Sequence, residues 1–318
     1  MSQVNDLSAP LDTQDDTQDG TQDAQAQPLL SVDGLTVSFK AGRKDWITVV
    51  KGIDYTVGRG EVLGIVGESG CGKSVSSFSI LRLHNERTTK YGGSIRFAGR
   101  NVFDMSNREL LDLRGGDIGF IFQNPMSSLN PLMTVGSQLR ETVRAHRRGL
   151  GKDEIEQRCL SALRKAGADT PEEWMGKYPY QFSGGQLQRV VIGMALINEP
   201  KLLIADEPTT ALDVTIQMQL LKVLRHLRDE LGMSIILISH DMGVVAQTCD
   251  RVAVMYRGRI VETASAARLF SDPQHPYTKA LLSATPPLDG PEPKRLKTVA
   301  DSMAEIEAAY REQEHKEA

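Results

Sequence analysis

Residues Gly67 to Ser74 read GESGCGKS, a complete GxxxxGK[ST] spacing. Glycines at these positions let successive backbone N–H groups turn toward one anion, and a helix beginning there adds positive potential. Lys73 would reach the β and γ phosphates of a nucleotide, and the Ser74 hydroxyl would ligate Mg2+. Gly67, Glu68, Ser69, Gly70, Cys71, Gly72, Lys73 and Ser74 are thus candidates for contact with a polyphosphate. A second cluster, LLIADEP from Leu202 to Pro208, ends an apolar run with Asp206 and Glu207. Adjacent carboxylates repel unless a cation or a proton divides their roles. Beside a polyphosphate, the natural division gives Asp206 the metal and Glu207 the attacking water. Phosphoryl transfer asks mainly for positioning and charge stabilisation, so a cradle, a metal carboxylate and a water-orienting carboxylate form a nearly complete hydrolytic set. A third segment, FSGGQLQR from Phe182 to Arg189, sets Ser183, Gly184 and Gly185 just before a helical period, where their N–H groups would offer another anion site. Taken alone, that segment reads as no more than an N-cap and a tight turn.

These groups need elements to hold them. EVLGIVG, DIGFIFQ, KLLIADE and MSIILISH are short, continuously apolar and rich in Ile, Leu and Val, the pattern of parallel strands buried on both faces. LSVDGLTVSF and ITVVKGIDYTV instead alternate apolar and polar residues, as half-buried antiparallel strands do. Helical periods span Lys73 to Leu83, Thr134 to His146, Asp153 to Lys165, Gly185 to Asn198 and Val214 to Leu231, and Ser106 with Glu109 forms a capping box. Strand-helix alternation with a dense helical block at about 124–198 predicts an α/β core carrying a helical insertion.

Composition narrows the function classes. The chain has 318 residues, 40% apolar and 25% charged, as in ordinary soluble domains. Its net charge of -4 lacks the basic footprint of a nucleic-acid reader, so no nucleic-acid partner is expected. No apolar run approaches the ~20 residues of a membrane-spanning helix. Cys71, Cys159 and Cys249 are too far apart for a CxxC-type metal site or a disulfide framework, which fits a reducing cytosol. Residues 1–28 hold six aspartates and no Lys or Arg, with the echo TQDD, TQDG, TQDA. Such a stretch reads as a disordered acidic leader ahead of a globular unit at 29–285. Beyond Pro286 the chain turns Pro-rich and then charged, with a helical pattern from Ala300 to Gln313.

In this order, over about Leu29 to Thr285, the motifs resemble those of the nucleotide-binding subunit of ABC transporters. GESGCGKS is similar to the Walker A loop, LLIADE to the Walker B strand and FSGGQ, with Ser183, Gly184, Gly185 and Gln186, to the LSGGQ signature. Gln123 falls at the Q-loop position, ALD ending at Asp213 at the D-loop, and His240 at the switch histidine. Phe39 sits where the family places an aromatic ring against adenine. The resemblance implies a P-loop NTPase cassette, with a RecA-like parallel-sheet core, an antiparallel β subdomain and a helical subdomain. It also implies ATP and Mg2+ as cofactors. Glu207, His240 and Gln123 would be catalytic, and Ser74, Gln123 and Asp206 would hold the metal. Because the family's signature caps the nucleotide of the opposite subunit, a second ATP-binding subunit, the same chain or a related one, is expected.

FQNPMSSLNP (Phe122 to Pro131) and HPYTKALLSATP (from His275) are similar to segments of the oligopeptide, dipeptide and nickel importer branch. That likeness implies an ATPase at the cytoplasmic face of the cell membrane, working with two transmembrane permeases and an extracytoplasmic solute-binding protein to import peptides. Nickel, glutathione or another small solute are alternatives for the cargo. Residues 286–318 would be the branch's C-terminal extension, here without cysteine, so no iron-sulfur cluster is expected. A soluble non-transport ABC ATPase would show heptad insertions, zinc cysteines or a second cassette, and a small-molecule kinase would have no use for FSGGQ.

Overall fold

The computed structural model describes residues 27–209, 214–284 and 299–317. Its strands are β1 (Leu30–Lys40), β2 (Trp46–Val57), β3 (Val62–Val66), β4 (Thr89–Phe97), β5 (Arg100–Asn101), β6 (Ile118–Ile121), β7 (Leu202–Asp206), β8 (Ser234–Ser239), β9 (Arg251–Tyr256) and β10 (Arg259–Ser265). Its helices are α1 (Lys73–Ile80), α2 (Asn107–Leu113), α3 (Val135–His146), α4 (Lys152–Lys165), α5 (Pro171–Gly176), α6 (Gly184–Leu196), α7 (Val214–Leu231), α8 (Met242–Thr248), α9 (Ala266–Ser271), α10 (Pro276–Ser283) and α11 (Met303–Glu317).

Two sheets organise these elements, one of four strands in the order β2-β1-β4-β5 and one of six in the order β10-β9-β3-β8-β7-β6. In the first, β1 runs antiparallel to both β2 and β4. In the second, β9, β3, β8, β7 and β6 are parallel and β10 turns back along β9. Every residue of β3, β7 and β8 is buried, and the period of two divides them between two cores. Leu63, Ile65, Leu202, Ile204, Ile236 and Ile238 join Val32, Leu35, Val37 and Ile53 of the antiparallel sheet. Val62, Val66, Leu203, Ala205, Ile235 and Leu237 face the side of α3, α4, α6 and α7. Both faces of the parallel sheet are therefore covered, which is why these strands carry no polar alternation.

The helices begin where their caps stand. Ser106 and Glu109 close the capping box of α2, Thr134 caps α3 through the Ser137 N–H, and Ser183 with Gln186 closes a second box on α6. Helix α1 stops at Ile80, short of the expected Leu83. Arg82 adopts a left-handed φ of 48°, and the Arg114 guanidinium donates to the carbonyls of Leu81 and Arg82 at 2.8 and 2.8 Å. A charged side chain thus satisfies the carbonyls a longer helix would have used. At the other end of the chain, α11 sets fully buried Ile306 and nearly buried Tyr310 into the core of the parallel-sheet domain.

Candidate functional site

The glycine loop leaves the C-terminal end of β3 and enters α1. Gly67, Gly70 and Gly72 have φ values of 150°, 81° and 113°, all in the region that only glycine occupies without strain. Space makes glycine at position 67 obligatory as well, because a Cβ there would lie 2.2 Å from the Met255 carbonyl of β9. Gly72 caps α1 with no side-chain hydrogen bond to its first turn, so those N–H groups point into a cradle for an anion. Under the arch lies Lys73, only 4% exposed, whose ammonium donates to the carbonyls of Gly67 at 2.7 Å and Glu68 at 3.0 Å. A shallow cavity beside it is lined by Val49, Ser69, Gly70, Gly72, Lys73, Ser74, Val75, Gln123 and Glu207.

Three neighbouring strands deliver the remaining polar groups to the same end of the sheet, the edge where ligands of open α/β sheets collect. Gln123 follows β6, Asp206 and Glu207 end β7, and His240 follows β8. The Gln123 amide donates to Glu207 Oε2 at 2.9 Å, and His240 Nδ1 lies 3.4 Å from that oxygen. Glu207 itself holds a left-handed φ of 48°, with its N–H donating to the Ile238 carbonyl at 2.9 Å. Such a backbone costs of order 1–3 kcal/mol at a non-glycine residue and persists where surrounding structure imposes it. Here it swings the carboxylate out of the strand direction and over the cradle.

Asp206 is 3% exposed, and its Oδ1 accepts the Ser74 hydroxyl at 3.1 Å. Burial pushes its pKa above the usual carboxylate range against the opposing Ser74 hydrogen bond, and the Glu207 charge adds to the rise. A hydroxyl and a desolvated carboxylate already in contact are hard oxygen donors that suit Mg2+. The desolvated charge also has a testable cost. Asp206→Asn keeps an acceptor for Ser74 and removes the buried charge, so the nucleotide-free protein should melt about 2–4 °C higher, while ATP hydrolysis should be lost if this carboxylate serves the site. Scanning calorimetry with an ATPase assay checks both halves, and a lower melting temperature would contradict the desolvation cost assigned to this carboxylate.

The structure therefore brings Gly67 to Ser74, Gln123, Asp206, Glu207 and His240 into one neighbourhood. Ser183 to Gln186 do not line the cavity. They form the start of α6, where Ser183 and Gly184 face solvent, Gly185 is buried, and Phe182 packs edge-on against Trp174 at 5.3 Å. Phe39 does not line it either, its ring standing edge-on to His84 at 5.0 Å. Asp213 lies outside the described residues. Motif spacing passed over Val49 and Val75 in the cavity wall, Met255 beneath Gly67, and Tyr277, whose hydroxyl accepts the Glu68 N–H at 2.9 Å. Val49 and Met255 carry no chemical signature, because their contribution is shape. Tyr277 stands within HPYTKALL, but only the fold brings it against Glu68, 209 residues away in the chain.

A glycine cradle on a helix start, a buried lysine and paired acids at the end of a parallel sheet define a nucleotide-binding P-loop domain. The family model described as ABC transporter matches residues 50–210, and that described as oligopeptide/dipeptide transporter, C-terminal region, matches 261–311. The dipeptide transport ATP-binding protein DppD of Bacillus subtilis is 47% identical over 264 residues, 83% of this chain and 78% of its own. The oligopeptide transport ATP-binding protein OppD of the same organism is 45% identical over 279 residues, 87% of this chain and 77% of its own. A Brucella abortus protein named for peptide import is 46% identical over 278 residues, 87% of this chain and 83% of its own. Among solved structures, a dimeric ATP-binding cassette in a post-hydrolysis state with ADP and Pi superposes with a TM-score of 0.67 at 29% identity, covering 74% of this chain and 98% of that one. CbiO1 of Clostridium perfringens, part of an ABC transporter complex, superposes with a TM-score of 0.66 at 32% identity, covering 77% and 91%. The chain belongs to the ABC transporter family, as one of its ATP-hydrolysing cassettes, and the expected α/β cassette fold is the observed one.

Proposed function

We propose that this cassette powers the import of oligopeptides or dipeptides, held at the cytoplasmic face of the cell membrane by two permease subunits and supplied by an extracytoplasmic solute-binding protein. The pairing of Gln123 with Glu207 carries this reading, since it joins the hydrolytic carboxylate to a surface built for a partner. Phe122, next to Gln123, opens onto an apolar cleft with Leu83, Phe120, Thr142, Val191 and Met194. Leu83 and Phe122 remain 39% and 38% exposed there, and we assign this apolar cleft to contact with a permease. No helix among the described residues is long and apolar enough to cross a membrane. The peptide assignment draws on relatives named for peptide, dipeptide and oligopeptide transport.

In the chemistry we assign, the loop N–H groups and Lys73 bind the β and γ phosphates and stabilise the charge that develops on them. Glu207 accepts the proton of the attacking water, Gln123 orients that carboxylate, and His240 contacts the γ-phosphate side of the site. Ser74, Asp206 and Gln123 would hold Mg2+, which when bound neutralises phosphate charge. Phe39 would meet the adenine ring. Ser183 to Gln186, with Asp213, would act across the interface on the nucleotide of a second ATP-binding subunit. We assign 124–198 to the helical subdomain and 286–318 to the extension typical of the branch; the acidic leader expected at 1–28 lies, but for its last two residues, outside the described residues, as do residues 285–298.

Affinity purification of the tagged chain from detergent-solubilised membranes tests the assembly. Two integral membrane subunits should copurify, and Leu83→Asp should release them while ATP binding is kept. Recovery without membrane subunits, or capture indifferent to Leu83→Asp, would overturn the permease reading.

A further inference from the structure

Resting on the assignment of Gly67 to Ser74 as the ATP cradle, we propose that Tyr277 is a positioning residue for that cradle and that α11 braces it through Tyr256. The Tyr277 side chain is fully buried, and its hydroxyl accepts the Glu68 N–H at 2.9 Å, one residue into the glycine loop. Its own backbone is pinned in turn. The Tyr277 N–H donates to His275 Nδ1 at 3.1 Å, and both Gln274 and His275 donate their N–H groups to the Glu262 carboxylate at 2.8 and 2.9 Å.

Behind Tyr277 stands a row of rings. Tyr256 packs on it at 4.4 Å, and Tyr310 of α11 meets Tyr256 edge-on at 5.6 Å. The Lys51 ammonium donates to the Tyr310 hydroxyl at 3.0 Å, and Arg257 pairs with Glu307 at 2.7 Å. The strand end carrying Tyr256 also supports the loop from below. The Met255 carbonyl closes on Gly67, and the Gly258 N–H donates to the Cys71 carbonyl at 2.9 Å. The loop is thus clamped at Glu68 and Cys71 by segments remote from it in sequence. Clamping both places fixes the direction of the N–H groups between and after them, so less freedom is lost when a phosphate arrives.

The test uses the full chain and a fluorescent ATP analogue displaced by ATP. Tyr277→Phe keeps the ring and leaves the Glu68 N–H without its acceptor, and ATP affinity should fall about five- to tenfold. Hydrolysis at saturating ATP should stay within about twofold, because Glu207 is untouched. Tyr310→Ala should weaken ATP in the same direction and add nothing once Tyr277 is already Phe, as coupled residues do. A role in folding alone would lower the melting temperature and leave the ATP affinity of the folded protein at wild type, overturning the proposal. Full additivity of the two changes would overturn the brace through Tyr256. Lys73→Ala separates the premises: if it too leaves ATP affinity unchanged, the cradle assignment fails, and if it alone weakens ATP, only the role of Tyr277 fails.

Discussion

Glu207→Gln should bind ATP with near wild-type affinity and lose steady-state hydrolysis by about 100-fold or more, the scale of a lost general base. The substitution keeps the length and shape of the side chain and the left-handed backbone that aims it. An amide oxygen can still accept from the Gln123 amide, which donates to Glu207 Oε2 at 2.9 Å. Only the ability to take a proton from water disappears. Asp206, Ser74 and Lys73, which stand on separate contacts, would still serve the nucleotide if they hold it as proposed. A phosphate-release assay beside a nucleotide titration measures the two quantities independently. Turnover near wild type would remove Glu207 from the chemistry and leave Gln123 and His240 converging on a merely structural carboxylate.

The second large effect concerns two chains acting together. Gly184 opens α6, faces solvent, and a Cβ built there meets nothing within 4 Å. Within one subunit Gly184→Asp should therefore fold normally, and a carboxylate in the first helical turn favours the helix. If that turn caps a nucleotide held by another subunit, the same carboxylate repels the γ-phosphate and blocks closure. ATP should still bind the open subunit while hydrolysis falls to background. Lys73→Ala should be inactive for the opposite reason, having lost the charge under its own cradle. Mixing the two inactive proteins should restore part of the ATPase activity. In a head-to-tail pair both lesions fall in one composite site and leave the other intact. Wild-type hydrolysis by Gly184→Asp alone would refute the shared site outright.

Much of this molecule is set locally. GESGCGKS determines its own turn and helix start, because glycine conformations and an uncapped first turn are properties of those eight residues. The apolar runs of β3, β7 and β8 announce burial on both faces, and Ser106, Thr134 and Ser183 mark helix starts within three residues of themselves. TKYGGSIRF, the sequence of β4, carries little strand signal of its own, because its paired glycines and polar residues weaken it. Its existence depends on pairing with β1, where Gly93 packs so close that a Cβ would lie 2.3 Å from the Gly34 carbonyl. Likewise the apolar run of β9 shows its role only when it lies beside β3 and presents Met255 to Gly67. Tertiary structure alone decided that Gln123 and His240 meet on one oxygen of Glu207, and that Tyr277 reaches Glu68. Local sequence determines conformation through short-range sterics and hydrogen bonds. Which distant side chains share a site is decided by strand order and by the packing of two cores on one sheet, and no local pattern encodes that.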